Sequence, residues 1–311
     1  MIEVVIPAHN AAAFLRETLE SIAGQTRPPG LVTVVDDRST DATREVAAQA
    51  ARELPVPIRL LTSAGPPGPS AARNTGLRAS TAEFVALLDA DDLHLPHHHA
   101  TLAPLLEADP ARSLAFGDCS LFETGSGAVL VPSHHAEAGL APGMGEAELF
   151  ARLLRSGIFG TSACLMRREA ALQAGLFDEA MMYAEDTDLF LRMALLGPMA
   201  RTGAHVSRKR VHGHNLTRPE NRLRFIAAIA GTVARLAARA RVGDLPGSPA
   251  QHAAIAGRVE GAVNAYLHAA SLEGLAAYRA AAGLAREAGR GGLALRPRHL
   301  ARLVLGPRRA A

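Results

Sequence analysis

The chain has no tryptophan, three tyrosines and, at Lys209, a single lysine among 311 residues. A protein that grips a long glycan on aromatic platforms needs more ring surface, so a large polysaccharide acceptor is disfavoured. Nearly all positive charge is therefore arginine, and with a formal charge of +3 and a pI near 9.3 it fits a GC-rich coding sequence as readily as an anionic partner. No nucleic-acid partner is expected. The two cysteines, Cys119 and Cys164, have no metal-ligand spacing and make no disulfide framework, which suits a reducing cytoplasm. No basic segment followed by an apolar one opens the chain, and no run of about 18 apolar residues occurs, so neither a signal peptide nor a spanning helix is expected. Two nucleotide motifs are missing as well. Gly65–Ser70 lacks the Gly-Lys-Ser/Thr ending of a P-loop, and no Gly-x-Gly-x-x-Gly follows the first apolar run, which counts against a Rossmann dehydrogenase.

What the chain does have is alternation. Apolar, β-branched runs at Ile2–Ile6, Leu31–Val35, Ile58–Leu61 and Phe84–Leu88 predict strands. Between them, Phe14, Leu15, Leu19 and Ile22 recur at helical spacing with Asn10 as a candidate cap, Ser39–Asp41 supply caps for a helix to about Ala51, and a further helix covers 71–79. This order predicts an α/β fold with a mostly parallel sheet covered on both faces. The middle, 113–207, is mixed, with strands at 114–116 and 163–166 and a helix over 185–196. Beyond Arg218 the sequence is rich in Ala, Leu and Arg and reads as a C-terminal helical extension, dividing the chain into domains 1–217 and 218–311.

Ligands of open parallel sheets bind at the carboxyl ends of the strands. Three segments occupy those ends: Pro7-Ala8-His9-Asn10, Asp36-Asp37-Arg38-Ser39 and Asp89-Ala90-Asp91-Asp92. Three carboxylates within four residues repel one another unless a divalent cation with oxygen ligands compensates them; the alternative is a helix cap in a solvated acidic turn. Asp36 and Asp37 either accept hydrogen bonds from a nucleotide or cap the next helix, and His9 either stacks on a base or fills a turn. Glu185, Asp186 and Asp188 either complement a helix dipole or include a general base. His94 and His97–His99 resemble a metal tract, but adjacent helical histidines point apart, so a solvated helix start is expected. His212 or His214 is a candidate for one imidazole ligand.

In order, Val5–Asn10, Gln25-Thr26, Val34–Asp41, Ala72–Gly76, Leu88–Asp92, Gly175–Glu179, Ala184–Leu189 and Arg210–His212 resemble the family 2 glycosyltransferases of GT-A fold, over roughly residues 1–217. The resemblance implies inverting transfer of a hexosyl or related sugar from a nucleotide-diphosphate sugar, a UDP-sugar above all, to a glycan or lipid-linked acceptor, assisted by Mn²⁺ or Mg²⁺. By similarity, Pro7, His9, Asn10, Asp36 and Asp37 line the nucleotide site. Arg73 lies near the diphosphate or base, Asp89 and Asp91 hold the nucleotide sugar, Asp91, Asp92 and His212 hold the metal, and Asp186 is the base. Many relatives carry Tyr where His9 stands. A nucleotidyltransferase, or a non-catalytic relative that binds a nucleotide sugar, is the alternative. Arg286, Arg290, Arg296, Arg298, Arg302, Arg308 and Arg309, interleaved with Leu293, Leu295, Leu300, Leu303, Val304 and Leu305, read either as a peripheral contact with the inner face of a membrane or as a solvated or homo-oligomer-packing tail; Pro297 and Pro307 interrupt a continuous helix.

Overall fold

Strand β1 (Ile2–Ala8) is buried along nearly its whole length, the pattern of a parallel strand covered on both faces. It lies between β2 (Leu31–Asp36) and β4 (Phe84–Leu87), and β2 pairs in turn with β3 (Ile58–Thr62), all parallel. Helices α1 (Leu15–Ala23), α2 (Thr43–Glu53) and α3 (Pro69–Ala79) make the crossovers. Side chains alternate along β1. Ile2, Val4 and Ile6 join the core built with Leu15, Leu19 and Ile22 of α1. Val5 faces α3, where Gly76 lies so close that a Cβ would overlap its side chain. The computed structural model describes residues 1–213 and 215–305.

The sheet continues through β5 (Leu93–His94), β6 (Leu114–Glu123), β7 (Val129–Val131), β8 (Cys164–Arg167) and β9 (Met199–Val211). The order is β3-β2-β1-β4-β8-β6-β9-β5, with β7 beside β6. Strand β8 runs antiparallel to both β4 and β6, whereas β9 is parallel to β6, so the sheet is mixed but mostly parallel. Helix α4 (His98–Glu107) follows β5; α5 (His134–Glu137), α6 (Glu146–Leu153), α7 (Arg168–Gln173) and α8 (Glu185–Leu196) complete this part of the chain. The expected strand and helix order is found. The long β9 was not anticipated, because only a few of its positions are buried and no clean alternation marks it.

Two local expectations are corrected. Asn10 caps no helix: it adopts φ 50°, its N–H donates to Ser39 Oγ and its Oδ1 accepts from Thr40 N–H at 2.8 Å. The histidine tract is no solvated helix start. His97 is exposed, but His94, His98 and His99 are 3%, 0% and 0% exposed. Burial holds the His94 and His98 imidazoles well below their ordinary pKa and pushes His99 down to about 4.

The chain divides into two compact units, Met1–Glu146 with Gly157–His214, and Ala147–Ser156 with Asn215–Ala311. Segment 147–156, read from sequence as part of the first domain, groups with the second unit. That unit holds α9 (Arg222–Arg241), α10 (Pro249–Glu273), α11 (Leu275–Glu287) and α12 (Pro297–Leu305). Ser248 and Gln251 form a reciprocal capping box with Pro249 at the first turn of α10. Pro297 likewise begins α12 rather than breaking it. Arg296, Arg298 and Arg302 reach Glu260, Asn264 and His268 of α10, so these three arginines bind within the unit. Pro307, Arg308, Arg309 and His214 lie outside the described residues. No helix among the described residues is long and apolar enough to cross a membrane.

Candidate active site

The carboxyl ends of β2, β1 and β4 are neighbours because those strands are, and the three sequence segments singled out above stand there. At the β1–β2 corner, His9 Nδ1 lies 2.7 Å from the Asp37 carbonyl, with both His9 and Asn10 exposed and Pro7 half-buried. Asp37 Oδ2 accepts the Gly68 N–H at 2.6 Å and its Oδ1 pairs with Arg38, so this carboxylate clips the Gly65–Ser70 loop to the end of β2. Gly68 sits at φ 136°, a conformation that suits glycine. Asp36 is turned inward: it pairs with Arg44 at 3.0 Å and accepts from Ser39 N–H. Both contacts hold the turn after β2.

The acidic segment after β4 is gripped from three sides. Arg73 of α3, 4% exposed, donates to Asp89 Oδ1 and to Glu185 Oε1, each at 2.7 Å, and lies over the Phe177 ring. Burial alone would lower its pKa; the two carboxylates outweigh that and hold the guanidinium charged. For Glu185 the balance is reversed. Burial pushes its carboxyl up, and the neighbouring Asp186 charge adds to this against the pull of Arg73. Asp91 Oδ2 lies 2.7 Å from His212 Nε2, and the His212 ring stacks on Phe14. Arg210 donates to the Asp91 carbonyl at 2.9 Å and to Glu17, lying over Phe14 and Phe122.

Asp92, expected from sequence among the cation ligands, has protein partners for both of its oxygens. It is 2% exposed, and its oxygens accept the Arg210 N–H at 2.9 Å and the Ser162 hydroxyl at 2.7 Å. Burial, followed by the charges of Asp91 and Asp89, pushes its carboxyl up to about 8. Asp91 and Asp89 contribute the negative charge in that balance, and it is this charge that a divalent cation would relieve. The more accessible donor pair is Asp91 with His212, a carboxylate oxygen and an imidazole nitrogen, a set that could hold a divalent cation.

Three site residues gave no sequence signal. Ser162, in the turn before β8, bonds both Asp92 and the Asp89 N–H. Phe14 supports His212 and Arg210. Lys209, noted from sequence only as the single lysine, is half-buried among Asp92, Asp89 and Asp186; burial lowers its pKa, and those charges outweigh it and leave it raised. At α8, Ala184 takes the left-handed conformation, φ 54°, strained for a residue with a Cβ, just before the acidic first turn. Of that turn's carboxylates, Glu185 pairs with Arg73 and Asp188 with Arg192. Asp186 is half-buried and accepts the Thr187 N–H at 2.6 Å; among the described residues no arginine pairs with it.

The profile of the family described as "Glycosyl transferase family 2" matches residues 3–173, more than half of the chain. The amylovoran biosynthesis glycosyltransferase AmsB of Erwinia amylovora is 31% identical over 202 residues, 62% of this chain and 64% of its own. The structure of S. aureus TarS 1-349 in complex with UDP-GlcNAc superposes with a TM-score of 0.66 at 17% identity, covering 96% of this chain and 86% of that one. The mannosyltransferase PcManGT from Pyrobaculum calidifontis, in complex with GDP-Man and Mn²⁺, superposes with a TM-score of 0.61 at 20% identity, over 99% of this chain and 81% of that one. At these identities the two structures share the fold, a GT-A-type α/β sheet. The chain spans less than two thirds of the length of the curated relatives it matches, from 64% of AmsB down to 14% of the O-antigen biosynthesis protein RfbC of Myxococcus xanthus.

Proposed function

Because the chain belongs to glycosyl transferase family 2, we propose that it transfers a sugar from a nucleoside-diphosphate sugar to an acceptor hydroxyl with inversion. The observation that carries this reading is the meeting of Asp91 with His212 beside an Arg73–Asp89–Glu185 network that ends next to Asp186. His9, Asn10 and the Asp37 turn would form the nucleotide corner. Asp89 and Asp91 would face the ribose and diphosphate, with Arg73 acting chiefly to hold Asp89 in place. A Mn²⁺ or Mg²⁺ ion held by Asp91 and His212 would supply positive charge against the charge that develops on the departing diphosphate. Asp92 would brace the segment from inside.

Asp186 would accept the acceptor's hydroxyl proton as the oxygen bonds to the anomeric carbon and the bond to the diphosphate breaks. Attack on the face opposite the leaving group is what inverts the centre. The acceptor is proposed to be a glycan or a lipid-linked sugar. The test is a panel of nucleoside-diphosphate sugars with Mn²⁺ and Mg²⁺, with nucleoside diphosphate release and the anomeric configuration of the product as readouts. Release with one donor and an inverted product supports the reading; a retained configuration, or no release from any donor, sinks it.

A further inference from the structure

Away from the donor site, β5 and the first turn of α4 bring three imidazoles together inside the protein. His94, His98 and His99 are 3%, 0% and 0% exposed, and one ring nitrogen from each lies within 4.8 Å of the other two. Both nitrogens of His94, both of His98 and Nε2 of His99 have no hydrogen-bond partner. Only His99 Nδ1 is bonded, to the Arg27 carbonyl at 3.1 Å. The backbone of Leu87 and Ser162 near His94, and of Ser162 near His98, favours the charged forms without meeting either ring in hydrogen-bond geometry. The His94 and His98 rings stack 3.6 Å apart, and His99 stands edge-on to both.

Buried polar atoms are nearly always paired, and each one left over costs free energy. The surrounding core is apolar, with Leu102, Ala103 and Leu106 of α4 facing the same interior. If packing were the only requirement at these positions, Leu or Phe would meet it without unpaired nitrogens. A bound cation satisfies several of these atoms at once. Buried imidazoles are held neutral, which is the form that ligates.

We propose that His94, His98 and His99 form a binding site for a divalent transition metal of the Zn²⁺ class, distinct from the Asp91–His212 pair. An all-imidazole set selects Zn²⁺, Co²⁺ or Cu²⁺ over Mg²⁺, Ca²⁺ and Mn²⁺, which prefer oxygen. Three histidines leave a fourth position for water or another small ligand. With Zn–N bonds of about 2.0–2.1 Å, tetrahedral ligation needs nitrogens ~3.3 Å apart. The His94 and His98 rings lie in nearly parallel planes, so closure takes rotation of one of them, and neither ring has a hydrogen bond that opposes it. The ion would tie β5, which follows Asp92 in the chain, to α4, bracing the acidic segment. It is a positioning site, and the proposal stands apart from the donor reading.

The experiment uses the full chain, stripped by chelation, held in excess Mg²⁺ and titrated with Co²⁺. One Co²⁺ per chain with the intense visible absorption of tetrahedral nitrogen ligation, displaced by Zn²⁺, is expected. His98→Leu should weaken binding by on the order of 100-fold, whereas His212→Ala should leave the absorption in place. Absence of that absorption in the wild type, its persistence in folded His98→Leu, or its loss in His212→Ala overturns the site. Should His98→Leu fail to fold, X-ray absorption of the Zn²⁺-loaded wild type decides: three imidazole ligands support the site and fewer overturn it.

Discussion

Nε2 of His212 lies 2.7 Å from Oδ2 of Asp91, joining the end of β9 to the acidic segment after β4 across 121 residues of sequence. If this pair holds the catalytic cation, chelation abolishes transfer and Mn²⁺ or Mg²⁺ restores it. His212→Ala should raise the cation concentration for half-maximal rate by about 10–100-fold. Asp91→Asn should remove activity, whereas Asp92→Asn, whose oxygens face Arg210 and Ser162, should lower stability and keep the cation requirement. Full activity in chelator, or equal effects at both aspartates, would contradict this assignment.

Asp186→Asn keeps the size of the side chain and loses the proton acceptor. Its kcat should fall about 10²–10⁴-fold with little change in donor KM, since base catalysis acts in the transition state. A kcat within a few-fold of wild type would move the role to another group. Glu185 and Asp188, each paired with an arginine, are the neighbours to examine next.

Lys209 places the chain's one lysine ammonium among Asp89, Asp92 and Asp186. Lys209→Met should tighten binding of the divalent cation and weaken binding of the donor's diphosphate. A tenfold rise in donor KM corresponds to about 1.4 kcal/mol. Unchanged values for both would show that the ammonium does not act on the ligand.

Gly76→Ala puts a methyl group into the Val5 side chain at the contact of α3 with β1. Overpacking of this kind costs about 1–3 kcal/mol. Urea unfolding should show a lower midpoint with an unchanged slope, and a midpoint equal to wild type would disprove the close contact.

Buried histidines also make the fold acid-sensitive. Burial pushes His99 and His135 down to about 4 from an ordinary value near 6.5. The unfolded chain then binds more protons between those values, so stability is full above pH ~6.5 and is lost as pH falls toward about 4. Each histidine contributes up to ~1.4 kcal/mol per pH unit within that window. In chelator, Tm measured across this range should decline with falling pH; a flat profile would mean that the rings are hydrated.

The four parallel strands, the crossover helices and the start of α8 were legible because apolar periodicity is local: each strand or helix writes its buried face into its own few residues. The segments at the strand ends were legible for the same reason, being fixed by where the strands stop. The direction in which each side chain points was not. Asp36, Asp91 and Asp92 look alike in sequence, yet one turns to Arg44, one to His212 and one to Arg210 and Ser162. Arg44 lies in the next helix, but His212, Arg210 and Ser162 come from distant elements whose approach is set by sheet order, in which β8 and β9 are not sequential neighbours of β4. The histidine tract makes the same point. Its polarity predicted solvent, and the packing of α4 against β6, β8 and β9 put two of its three rings inside. Composition and period determined the four parallel strands, the crossover helices and α8; only the tertiary arrangement decided the course of β9 and which polar groups meet, because those depend on contacts between residues far apart in the chain.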